Sequence, residues 1–176
     1  MGCGMQDERI INIPKDQKMA YDFTADNVFE MAEQLERNGA EFYRNAAENA
    51  DDPEANAFLI RLVEMEDAHE KTFAFLRSNL SEKAKAATVF DPQHESALYL
   101  RALADTRVFF EKEIDFSSMK AILKAAILAE KDSIVFYLGM KDLVPDTLGK
   151  DTLDKIIKEE MGHIRILSKE LIAHKK

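Results

Sequence analysis

The chain has 176 residues, 46% hydrophobic and 32% charged, with six Gly, four Pro and a formal net charge of −9. That length suits one domain with a buried core, and so few turn residues favour helices over a sandwich or barrel. The negative charge argues against nucleic acid or an anionic membrane as partner, and no apolar run reaches spanning length.

Residues 1–22 form a mixed extension with a short apolar patch, Ile10-Ile11-Asn12-Ile13-Pro14, to which no function is assigned. Its opening Met1-Gly2-Cys3-Gly4 has Gln6 where a myristoylation signal needs Ser or Thr, and it contains no signal-peptide core. Cys3 is the only cysteine, so a disulfide framework and a thiolate metal knuckle are both excluded. A cytoplasmic location is expected. The domain proper is read as residues 23–176.

Thr24 or Asp26 can cap a first helix running to about Ala50. Asp51-Asp52-Pro53-Glu54 is a turn and restart, with an Asp cap, Pro at the first helical position and acid in the first turn. The second helix continues to about Leu80. Residues 81–116 make a long connection, with an inner helix expected from about Gln93 to Lys112. Ser117 or Ser118 caps a third helix ending near Asp142, Pro145 to Gly149 break the chain, and a fourth helix reaches the C-terminus. Two helical hairpins joined by a long crossover containing a short helix make an all-α, four-helix bundle of ferritin-like connectivity.

The chain also matches itself at an offset of 94 residues without a gap. Glu36 to Tyr43 falls on Glu130 to Tyr137, Leu59 on Leu153, Leu62 on Ile156, Glu66 on Glu160, His69 on His163 and Phe73 on Leu167. Two hairpins of one design imply a pseudo-twofold axis through whatever they share. On the second helix Glu66 and His69 fill a gap in the apolar stripe Leu59, Leu62, Phe73, Leu76. On the fourth, Glu160 and His163 do the same between Leu153, Ile156 and Leu167, Leu171. Glu36 and Glu130 lie on the inward stripes of the first and third helices. Each of the four Glu stands about 20 Å from its hairpin turn at 1.5 Å per residue, so all share one layer.

Four carboxylates in a buried layer repel and lose solvation by several kcal/mol each. Two divalent cations neutralise them and leave two imidazoles to complete the coordination. Mixed carboxylate and imidazole ligands suit iron or manganese better than structural zinc, which favours thiolates. The expected ligands are therefore Glu36, Glu66, His69, Glu130, Glu160 and His163. A buried salt bridge is the competing reading, but the inner stripes carry no Lys or Arg near this layer. His94 and His174 lack the Glu-x-x-His pattern, and Glu33, Glu41, Glu64, Glu70 and Glu159 lie off the stripes. Tyr43 and Tyr137 are read first as core packing, with a hydrogen bond to the ligands as the sharper alternative.

Glu36 with Phe42-Tyr43, Glu66-x-x-His69, Glu130 with Phe136-Tyr137, and Glu160-x-x-His163 resemble the rubrerythrin family of the ferritin-like superfamily. Leu98 to Asp105 in the crossover is similar to rubrerythrin relatives as well, and the resemblance spans about residues 24–174. It implies a non-haem centre of two iron ions, with manganese or zinc as substitutes, in a homodimer or larger homo-oligomer. It also implies reduction of hydrogen peroxide, or dioxygen, to water. Glu36 and Glu130 would then be terminal ligands, and Glu66 and Glu160 bridging ones.

Two departures bear on this. Full-length family members carry a four-cysteine rubredoxin-like domain; with one cysteine here, electrons are expected from an external donor such as rubredoxin. The family's peroxidase centre also has a further Glu where this chain has Ser133, which points to a ferroxidase handling Fe(II) as the alternative. A metal-stabilised scaffold or partner-binding module is the reading from a different class.

Overall fold

A computed structural model of the protein describes residues 24–82, 85, 100, 114–144 and 149–174. Among these residues the regular elements are four long helices: α1 (Ala25–Glu48), α2 (Pro53–Ser78), α3 (Met119–Leu143) and α4 (Lys150–Ala173). The helix expected at Gln93 to Lys112 and the N-terminal extension lie outside the described residues.

Local chemistry explains each start. Thr24 caps α1 in a reciprocal box with Asn27, which satisfies two backbone donors that a helix N-terminus otherwise leaves open. Asp52 accepts from the Ala55 backbone at 2.9 Å and Pro53 opens α2. Ser118, rather than Ser117, accepts from the Ala121 backbone to start α3. Gly149 precedes α4 at φ 116°, where only glycine is unstrained, and a Cβ there would stand 3.1 Å from Leu76 Cδ2.

α1 packs on α2, α3 packs on α4, and α1 meets α3 between the hairpins. The apolar interior falls into two blocks. One gathers the start of α1, the end of α2, the end of α3 and the start of α4, with Phe29, Phe73, Met140 and Leu153 buried together; Leu100 of the crossover joins them. The other gathers the opposite ends around Leu59, Leu62, Ile122, Leu123 and Leu167. Full burial of each such side chain contributes about 1.5–3 kcal/mol. Between the two blocks lies a layer of buried polar groups.

Candidate metal centre

The charged and imidazole groups of that layer are Glu36, Glu66, His69, Glu130, Glu160 and His163, every one of them buried. All six residues singled out from the spacing therefore come together. They form two overlapping groups, Glu36, Glu66, His69 and Glu160, and Glu66, Glu130, Glu160 and His163. Within each group the potential ligand atoms lie within 4.8 Å of one another. Glu66 and Glu160 are common to both. Glu66 on α2 and Glu160 on α4 thus sit between two positions, with Glu36 and His69 to one side and Glu130 and His163 to the other.

The imidazoles point the same nitrogen inward. His69 Nδ1 lies 2.9 Å from Glu160 Oε1 and 3.5 Å from Glu36 Oε2. His163 Nδ1 lies 2.9 Å from Glu160 Oε2, 3.4 Å from Glu66 Oε1 and 3.5 Å from Glu130 Oε1. The two rings are stacked, with centroids 5.5 Å apart and planes 17° from parallel. These contacts are close without being aligned. Glu66 Oε1, both Glu160 oxygens and both Nδ1 atoms have no hydrogen-bond partner among the described residues. Buried polar atoms are ordinarily paired, because an unsatisfied one costs about 1–3 kcal/mol. Convergent carboxylate and imidazole atoms without aligned hydrogen bonds are an arrangement that a bound cation satisfies. The residues present therefore fit a pair of divalent metal ions.

Electrostatics of the metal-free layer follow from burial. Desolvation holds the Glu66 and Glu130 carboxyls well above the usual carboxylate range. It raises Glu36 as well, partly opposed by His69. Glu160 goes the other way: burial would raise it, but His163 and His69 outweigh that and keep it ionised. Burial also disfavours the imidazolium forms, yet Glu160 and Glu36 push His69 up to about 11. His163 is raised likewise by Glu130, Glu160 and Glu66. Without metal, protons supply the compensating charge.

Around this layer the tyrosines do more than pack. Tyr43 of α1 donates to Glu130 Oε1 of α3 at 2.6 Å, and Tyr137 of α3 donates to Glu36 Oε1 of α1. Each phenol reaches across to the other hairpin's carboxylate, so the pair obeys the pseudo-twofold symmetry. Burial and the neighbouring carboxylates, chiefly Glu130 for Tyr43 and Glu36 for Tyr137, raise both phenols well above their ordinary range and keep them as donors. Ser133 contacts the layer differently. With Leu35 and Gly39 of α1 and Ala129 of α3 it lines a small recess that has Glu66 and Glu130 among its walls. Gly39, the duplicate of Ser133, brings Glu66 close to α1: a Cβ there would stand 3.3 Å from Glu66 Oε2.

The residues set aside in the sequence divide. Glu41, Glu64 and His174 are exposed, and His94 lies outside the described residues. Glu70 pairs with Arg37 at 2.7 Å. Glu33 departs from expectation, being buried beside Arg37 and Arg77 at the edge of α1. Glu159 is exposed, as its position off the stripe implied, but its carboxylate lies 2.9 Å from the outer nitrogen of His69.

The chain superposes over most of its length on a crystal structure from Thermotoga maritima described as a ferritin-like diiron-carboxylate protein. The TM-score is 0.60 and the sequence identity 24%, over 84% of this chain and 94% of that one. No protein-family model and no curated protein matches the chain. The likeness establishes the fold, an all-α bundle of ferritin-like type. Function has to be argued from the site.

Proposed function

We propose that this protein is a non-haem di-iron oxidoreductase of rubrerythrin type, reducing hydrogen peroxide or dioxygen with electrons from an external one-electron donor such as rubredoxin. The observation that carries the reading is the pair of overlapping ligand groups that share Glu66 and Glu160. Glu36, Glu66, Glu160 and His69 would hold one metal and Glu130, Glu66, Glu160 and His163 the other, the two middle carboxylates being common to both groups. Two iron ions there would supply two electrons at one place, which with two protons convert hydrogen peroxide to two molecules of water.

The protein's own groups do the remaining work. Tyr43 and Tyr137 fix the outer carboxylates by hydrogen bonds, the first to Glu130 and the second to Glu36, and so hold the orientation of each end group. The flanking apolar blocks exclude bulk water and strengthen every charge interaction in the layer. The recess at Gly39 and Ser133 has room for about one water-sized molecule beside Glu66 and Glu130.

The second reading, oxidation of Fe(II) for storage or detoxification, is favoured by Ser133. It presents a neutral hydroxyl to the recess at the place where the resembling peroxidase centres carry a carboxylate. One experiment separates the two. The protein is loaded with iron anaerobically, then given reduced rubredoxin with hydrogen peroxide or, separately, with dioxygen. Catalytic rubredoxin oxidation, many equivalents per chain, supports the peroxidase. Net Fe(II) oxidation without donor turnover supports the ferroxidase, and bound iron indifferent to both oxidants contradicts either enzyme.

A further inference from the structure

The two halves of the site are duplicated in their ligands but not in what stands behind the imidazoles. His69 turns Nδ1 toward Glu160 and Glu36 and presents Nε2 to Glu159 Oε2 at 2.9 Å. His163 turns Nδ1 inward in the same way, but its Nε2 is buried and has no hydrogen-bond partner among the described residues. The 94-residue offset carries Glu159 onto Met65, a thioether side chain with no charge to offer. An imidazole bound to metal through one nitrogen donates its other N–H outward. A carboxylate accepting there fixes ring orientation and raises ligand basicity, and its removal typically weakens metal binding about 10–100-fold.

Taking the metal centre of the preceding section as its premise, we propose that Glu159 is a positioning residue that makes the two metal positions unequal. The position of Glu36 and His69 fills first and holds its ion more tightly. The position of Glu130 and His163, whose imidazole has no such support among the described residues, is the exchangeable one. Glu159 stands at the surface, with its side chain 59% exposed, so it acts on the site from solvent without belonging to the buried layer. An exchangeable second ion suits a centre that must release or acquire iron as part of its cycle.

The test is an anaerobic titration of the metal-free full chain with Co(II), followed by ligand-field absorption and calorimetry. The wild type is expected to bind two ions in two resolved steps, with His69→Ala removing the tighter step and His163→Ala the weaker one. Glu159→Leu should weaken the tighter step about 10–100-fold and bring the two steps together. Glu159→Gln, whose amide oxygen still accepts from the ring N–H, should recover part of the loss. Met65→Glu should tighten the weaker step, which guards against a loss caused by misfolding. Two ions bound with both steps unmoved, or equally weakened, in Glu159→Leu would overturn the asymmetry and leave the metal centre standing. So would loss of the tighter step in His163→Ala. A wild type that binds no Co(II) would overturn the premise and the proposal together.

Discussion

Glu66 and Glu160 are duplicates in sequence, yet the geometry gives them different parts in the metal-free protein. Glu160 is fully buried and lies 2.9 Å from the inward nitrogens of both imidazoles, so it is the counter-ion of both. Glu66 approaches only His163, at 3.4 Å, and burial keeps its carboxyl protonated well above the ordinary range. Removing one partner of a buried ion pair costs about 3–5 kcal/mol, because the other charge is left uncompensated. Replacing a neutral carboxylic acid by an amide of the same shape leaves no such charge and should cost under about 1 kcal/mol. In urea unfolding of the metal-free protein at pH 7, Glu160→Gln should therefore lower the midpoint by roughly 2 M, taking a slope of about 2 kcal/mol per M. Glu66→Gln should leave it within about half a molar unit by the same slope. With metal present the difference between the two should persist while both fall further below wild type, since each lacks a carboxylate common to both ligand groups and forgoes the added stability of a bound ion, about 2.7 kcal/mol at a hundredfold excess over Kd. Equal losses for the two variants without metal, or a larger one for Glu66→Gln, would refute the assigned charges.

Tyr43→Phe and Tyr137→Phe should each cost about 1–2 kcal/mol in the metal-free protein. They act on opposite metal positions, so in the double variant the losses of metal affinity should add, as a double-mutant cycle by calorimetry would show. Metal uptake should release protons, about two from the imidazoles and more from Glu66 and Glu130. Because protons compete with metal for the same atoms, apparent affinity should rise with pH between 6 and 8, roughly in proportion to the protons displaced; calorimetry in buffers of different ionisation enthalpy counts them. Gly149→Ala forces a side chain into the left-handed region against Leu76 and should remove about 1–2 kcal/mol, lowering Tm by roughly 2–8 °C in a melt followed by circular dichroism.

The hairpins and the six residues that meet in the buried layer were legible in the sequence because both are periodic. Glu66 and His69, three residues apart on one helix, must share a face, and the 94-residue repeat carries that face onto α4. The caps were legible as well, although choosing between Ser117 and Ser118 took backbone geometry. Contacts between helices were not. Tyr43 stands two turns from Glu36 on its own helix but bonds Glu130 on α3, a choice set by the rotation of α1 against α3 that spacing does not encode. Glu33 is buried because Arg37 and Arg77 cover it, which a stripe of apolar residues cannot reveal. Glu159, set aside as lying off the stripes, is misjudged for the opposite reason, being an exposed carboxylate whose partner lies on another helix. The signal that would have found it is the break in the repeat, where Met65-Glu66 answers Glu159-Glu160.

Anomalous diffraction at the iron edge from crystals grown after anaerobic Fe(II) loading tests the central claim most directly. The account predicts two peaks per chain in the buried layer, one bounded by Glu36 and His69 and the other by Glu130 and His163, with Glu66 and Glu160 between them. No peak in that layer, with all six side chains in place, would contradict it.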